Sequence, residues 1–196
     1  MDNHILLWLN QSWSHPWLDF YFGWVSEKAS FSLPLFVIIV LLLSKQYGRD
    51  GLKLSILLAL VIGFSDLFGN TLKYLTELPR PCLEDYALIR RPGLSSTRCL
   101  TSTTGMPSNH ALNFFAAFSF LLLVLPHCRW ILVLLFIACS VAISRIYLAA
   151  HYPSQVLIGV LLGIAIGLSF AYLGRRKLAL IQRLQPSVHR KKHHKK

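Results

Sequence analysis

Three short runs hold the residues most able to do chemistry. In Lys73-Tyr74-Leu75-Thr76-Glu77-Leu78-Pro79-Arg80-Pro81, two cations stand seven residues apart. A helix carried through Lys73 and beyond would place them two turns apart on one face. Pro79 and Pro81 are expected to end that helix and hold Arg80 in an extended stretch. Gly105-Met106-Pro107-Ser108-Asn109-His110 comes directly before an apolar run. Its proline and serine describe a helix start, where free N–H groups suit an anion, and His110 there could hand a proton to a leaving oxygen. Ser144-Arg145 lies near the end of another apolar run, followed by His151-Tyr152-Pro153-Ser154-Gln155. Gln155 is one helical turn beyond His151, so its side-chain oxygen is expected to accept the Nδ1–H and leave the Nε2 lone pair for substrate. Each run alone has a plainer reading, such as a snorkelling lysine or an ordinary capped helix. An arginine within an apolar segment is costly and points to function by default.

Taken together, Lys73, Arg80 and Arg145 suit a dianionic phosphate. Helix-start amides and Ser108 can bond its oxygens, and two histidines remain to act as nucleophile and acid. Phosphoryl transfer asks chiefly for positioning and charge neutralisation. The chain has only eight Asp and Glu, and none cluster with these groups. A two-metal phosphatase needs such a cluster, so neither metal nor cofactor is expected.

Apolar residues make up 54% of the chain and charged residues 14%, against roughly a quarter charged in soluble domains. Apolar stretches near 54–75, 111–125, 130–149 and 156–173 approach the ~20 helical residues that cross a bilayer, and 31–44 is a shorter fifth. The first thirty residues are apolar and aromatic but broken by polar residues and Pro16. They predict short interfacial helices or one broken sixth span. The fold class is therefore an all-α polytopic membrane bundle of five to six transmembrane helices. Residues 1–174 form the embedded domain and 175–196 a basic cytoplasmic tail. The start, Met1-Asp2-Asn3-His4, lacks a positive signal-peptide region, so insertion is expected to rely on internal helices.

Nine of the twenty Lys and Arg lie after Gly174. No aromatic residues are interleaved among them to stack bases, so nucleic acid is not an expected partner, and anionic lipid is. With Lys45, Arg49, Lys53 and Arg129, this tail puts one end of the bundle in the cytoplasm by the positive-inside tendency. The three motifs then lie on the extracytoplasmic face of the cell membrane. Cys82 and Cys99, both between the first two motifs in a compartment expected to be oxidising, are predicted to form a disulfide.

Lys-x6-Arg-Pro, then Pro-Ser-x-His, then Ser-Arg-x5-His resembles, in order and spacing, the three-part signature of the type 2 phosphatidic acid phosphatase superfamily. That resemblance implies a helical bundle in which His151 attacks phosphorus to form a phosphohistidine and His110 protonates the departing oxygen. Lys73, Arg80, Ser108 and Arg145 would hold the phosphoryl oxygens, assisted by the Asn109 amide. Two positions depart from the pattern. Asn109 replaces the usual glycine, and either its backbone amide or its side chain could face phosphate. Gln155 replaces the usual aspartate, as in the glucose-6-phosphatase branch, whose third motif is similar to Ser144–His151. Undecaprenyl diphosphate is the first expectation for the substrate within a broader class of lipid phosphates and diphosphates. A sugar phosphate, transfer of phosphate to an alcohol, and a non-catalytic lipid-phosphate binder remain open.

Overall fold

The computed structural model describes residues 1–83, 89–90, 104–125 and 129–177; Cys99 and the tail beyond 177 lie outside them. Five helices form the bundle. We label the two short N-terminal helices α1 (Asp2–Leu7) and α2 (Pro16–Val25). The bundle helices are α3 (Leu33–Tyr47), α4 (Arg49–Thr76), α5 (Asn109–Val124), α6 (Trp130–Tyr147) and α7 (Pro153–Lys177). Wider helical turns at Trp8–Ser12 and Lys28–Ser32 extend α1 and lead into α3. The described residues contain no strand; Pro79 and Thr104 form one isolated antiparallel bridge.

Among the described residues, four helical stretches are long and apolar enough to cross a membrane: Lys28–Tyr47, Arg49–Thr76, Trp130–Tyr147 and Pro153–Arg175. The 16 residues of α5 are shorter and rise about 24 Å. Sequence reading placed all five. The first thirty residues form no sixth span; α2 has ten residues, about 15 Å of rise, half of a hydrocarbon core. These helices instead pack on the site end of the bundle. Asn10 Nδ2 donates to the Tyr147 carbonyl at 2.7 Å, and Ser154 N donates to Asp2 Oδ1 at 3.2 Å. The Tyr147 hydroxyl donates to Asp19, which also pairs with Arg90 at 2.7 Å. Trp8, Trp13, Trp17 and Trp24 remain exposed there, as aromatics at a lipid–water boundary do.

Lipid tails are as apolar as leucine, so close backbone approach, rather than exclusion of water, must hold such helices together. Leu41, Leu60, Phe136 and Leu161 accordingly face outward, while Leu43, Leu54, Leu58, Phe120 and Val124 form the inner core. The α5–α7 contact is the tightest. Gly159, Gly163 and Gly167 recur every fourth residue on α7, and a Cβ at any of them would run into the α5 backbone. At Gly159 it would stand 2.7 Å from the Ser108 carbonyl. This stripe fixes the start of α5, carrying Ser108 and His110, against the start of α7, carrying Gln155 and preceded by His151.

Candidate active site

The three motifs converge at the end of the bundle where α4 and α6 finish and α5 and α7 begin. α4 runs through Lys73 and stops at Thr76, because Glu77 turns left-handed at φ 48°. The two-turn helical register expected for Lys73 and Arg80 is therefore not formed. The chain doubles back instead, with Pro79 bridging to Thr104 and Arg80 Nε donating to the Thr104 carbonyl at 3.0 Å. That extended return buries Arg80 to 8% exposure and brings its charge within range of both Lys73 and His151.

Ser108 precedes the first residue of α5, as expected, yet its side chain caps nothing. It is fully buried, and Oγ has no hydrogen-bond partner among the described residues. An orphaned buried hydroxyl costs free energy unless a ligand satisfies it. The Asn109 side chain, left open by the sequence, is settled. Nδ2 donates to Asn70 Oδ1 at 2.7 Å and to Asp66 Oδ1 at 3.1 Å, both on α4. His110 is half-buried, and its Nε2–H donates to the Ser26 carbonyl at 3.1 Å.

His151 is 1% exposed and stands in the turn between α6 and α7. Its backbone N–H donates to the Arg145 carbonyl at 3.0 Å, which ties the histidine to the end of α6. Nδ1 lies 2.7 Å from the Gly105 carbonyl and 3.3 Å from Gln155 Oε1. Both are acceptors, so Nδ1 carries the proton and Nε2 the lone pair. Gln155 is one of two orienting groups, and the nearer is the Gly105 carbonyl. Gln155 also donates from Nε2 to the Pro79 carbonyl at 2.8 Å and accepts from Tyr152 N at 3.2 Å, so it ties the first motif to the third. Arg145, 5% exposed, donates to the Ser26 hydroxyl. Burial, and next the charges of Arg145, Arg80, Lys73 and His110, hold the His151 imidazolium form well below its ordinary pKa. The ring is neutral at neutral pH. Among the described residues no three His, Cys, Asp or Glu side chains gather as a metal site would require.

Basic side chains from two separate segments, an orphaned serine hydroxyl at a helix start and a histidine with an aimed lone pair together suit a phosphate. A family model described as the PAP2 superfamily matches residues 54–178, well over half of the chain and all three motifs. The chain belongs to the PAP2 superfamily. It is similar to a lipid A 4'-phosphatase of Bacteroides thetaiotaomicron, 26% identical over 185 residues, covering 93% of this chain and 80% of that one. It also resembles the crystal structure of a transmembrane PAP2-type phosphatidylglycerolphosphate phosphatase from Bacillus subtilis. There the TM-score is 0.63 at 25% identity, over 89% of this chain and 87% of that chain. With its apolar helices and these relatives, this PAP2 chain is a multi-pass membrane protein.

Sequence reasoning missed three participants. Ser26 touches both His110 and Arg145, but it follows an aromatic helix with nothing to mark it. The Gly105 carbonyl is a backbone group that any residue carries; only the glycine hinted at close approach. Asp66 lies inside an apolar span, and that was the available signal. Of the expected disulfide, Cys82 is buried and disulfide-bonded, while Cys99 lies outside the described residues.

Proposed function

We propose that this PAP2 chain is an integral membrane phosphatase that hydrolyses a lipid phosphate or diphosphate through a phosphohistidine on His151, without a metal. The observation that carries the proposal is the buried, neutral His151, its Nδ1–H fixed on the Gly105 carbonyl and three cations around it. Lys73, Arg80, Arg145, the Ser108 hydroxyl and the Asn109 backbone amide hold the phosphoryl oxygens. The His151 Nε2 lone pair forms the bond to phosphorus as the P–O bond to the lipid breaks. His110 gives its proton to the departing oxygen, its ring held by the Ser26 carbonyl. Water then attacks the phosphohistidine, His110 takes the water's proton, and inorganic phosphate leaves with His151 restored.

The site faces the extracytoplasmic side of the cell membrane. Lys45, Arg49 and Lys53 surround the α3–α4 turn and Arg129 precedes α6, all at the opposite end. The basic residues 175–196 form a cytoplasmic tail against anionic lipid, while residues 1–174 carry the catalytic domain. Cys82 pairs with Cys99 to close the segment between the first two motifs.

Undecaprenyl diphosphate is one substrate that fits a site at headgroup depth. Phosphatidate, the phosphate of a lipid A anchor and phosphatidylglycerol phosphate are others, the last two favoured by the activities named for the relatives. The test is phosphate release by the purified chain in detergent from a panel of lipid and sugar phosphates. Lipid phosphates should be turned over with EDTA present, and His151→Ala should abolish release. Turnover restricted to soluble sugar phosphates, or lost to EDTA and restored by magnesium, would overturn the proposal.

A further inference from the structure

A cavity of about 500 Å³ opens between α3, α4 and α5. His110, Asp66, Asn109, Asn113, Lys28 and Ser32 supply its polar lining; the rest is apolar, reaching Ala59 and Leu58 on α4 and Phe118 on α5. From His110 to Phe118 is eight residues of helix, about 12 Å of depth. The general acid in the phosphatase scheme is therefore a wall of this cavity. A group that protonates the departing oxygen must stand beside it, so the alcohol attached to that oxygen has the cavity as its nearest room.

The polar end is rich in acceptors. Asp66 Oδ1 accepts from Asn109 Nδ2 at 3.1 Å and Asn113 Nδ2 at 2.9 Å, and Oδ2 accepts from Asn70 Nδ2 at 3.2 Å. A carboxylate offers about four acceptor positions, so one remains on Oδ2. Asn113 Oδ1 is buried with no hydrogen-bond partner among the described residues. An unpartnered amide oxygen on Asn113 and a spare carboxylate position on Asp66, with the Lys28 ammonium at the same end and an apolar chamber below, suit a ligand that brings O–H or N–H groups of its own.

We propose that Asp66 and Asn113 form a leaving-group subsite. It selects lipid phosphates whose alcohol carries a hydroxyl or amide N–H close to the phosphoester, as glycerol- and sugar-based lipids do. It disfavours polyprenyl diphosphates, which present only methylenes or further phosphate acceptors there. This subsite deepens the phosphatase reading and rests on it. Asp66 and Asn113 are specificity residues; the transfer itself remains with His151 and His110.

The experiment compares two probes with the full chain in detergent: a monoacylglycerol phosphate with a free hydroxyl next to the phosphorylated carbon, and the same molecule lacking that hydroxyl. Wild type should favour the hydroxylated probe by on the order of tenfold or more in kcat/KM. Asn113→Leu and Asp66→Asn should each shrink that ratio toward one, mainly through KM for the hydroxylated probe. A ratio is the chosen readout because loss of folded protein lowers both rates together. Equal kcat/KM for both probes in wild type, or an unchanged ratio in both variants, overturns the subsite and leaves the phosphatase reading standing. Hydrolysis of neither probe, with no other lipid phosphate of the panel turned over, overturns the phosphatase reading and the subsite with it.

Discussion

Adding one methyl group at Gly105 should damage catalysis more than removing the polar end of Gln155. A Cβ built on Gly105 would stand 2.6, 2.7 and 2.9 Å from Gln155 Oε1, Nε2 and Cδ, closer than non-bonded atoms settle. Either Gln155 leaves the Pro79 carbonyl and Tyr152 N–H, or the Gly105 backbone retreats and takes the 2.7 Å acceptor of His151 with it. At His151, Gln155→Leu removes the acceptor at 3.3 Å, just outside the usual 2.7–3.2 Å range for N–H···O bonds; away from the ring it also removes the bonds to the Pro79 carbonyl and the Tyr152 N–H. It leaves the nearer carbonyl in place, so the tautomer survives. A net hydrogen bond of about 1 kcal/mol corresponds to roughly fivefold in kcat. A nucleophile displaced by about an ångström loses about 10²-fold. Gly105→Ala should therefore fall about a hundredfold and Gln155→Leu about five- to tenfold, with gel filtration and melting temperature showing folded protein in each.

The double variant sharpens the test. With Gln155→Ala the clash disappears, so Gly105→Ala combined with Gln155→Ala should be more active than Gly105→Ala alone. That non-additivity is what two residues in contact produce. The assay is kcat and KM for phosphate release from a short-chain lipid phosphate in detergent. If Gln155→Leu lost more than a hundredfold while Gly105→Ala stayed within twofold of wild type, the glutamine would be the orienting group and the assignment to the carbonyl would be wrong.

Because burial, then Arg145, Arg80, Lys73 and His110, depress the His151 pKa, the acid limb of kcat/KM should lie below pH 6.5. The same shift predicts stability that is full above about pH 6.5. It declines as pH falls toward the folded-state pKa, because the unfolded chain binds the proton first. Melts across that window should be flatter for His151→Gln. Unreduced peptide mapping should recover Cys82 joined to Cys99, a loop closure worth about 3 kcal/mol; alkylation of both thiols without reductant would remove that pairing. In intact cells a cysteine placed at Ser95 should react with an impermeant maleimide and one at Ser187 should not; the opposite pattern would invert the orientation.

Much of the fold and of the motif convergence was legible because hydrocarbon solvent permits few alternatives. Backbone groups must bond within the helix, so the apolar lengths fixed five elements. Alternation of those elements brought Lys73, His110, Arg145 and His151 to one end. The sequence could not reveal partners whose identity lies in the backbone or in tertiary packing. The Gly105 carbonyl and the Ser26 carbonyl could belong to any residue. Arg80 stands in an extended stretch, as Pro79 and Pro81 suggested, so it nears Lys73 through the return after the left-handed turn at Glu77 and not through a shared helix face. Asn109 was ambiguous because an amide has donors and acceptors for either direction, and only the polar side chains of α4 decide it.

In the proposed scheme, that decision lets the second motif do without the glycine that the resemblance implies there. A side chain at 109 that turned toward the residues proposed to hold phosphate would crowd the anion. Here it turns to α4, where Asn70 and Asp66 accept its two N–H groups. Gly69 leaves the room: a Cβ there would stand 2.6 Å from Asn109 Oδ1. Asn113, one turn further along α5, donates to the same carboxylate. The start of α5 is thus held from both sides, by this amide clasp on α4 and by the glycine stripe on α7. Ser108 and His110 lie between those two contacts, so their aim is set by packing on either flank. In the proposed scheme, asparagine in place of glycine leaves the backbone amide at 109 for phosphate and adds a lateral anchor, which also presents Asp66 to the cavity that His110 lines.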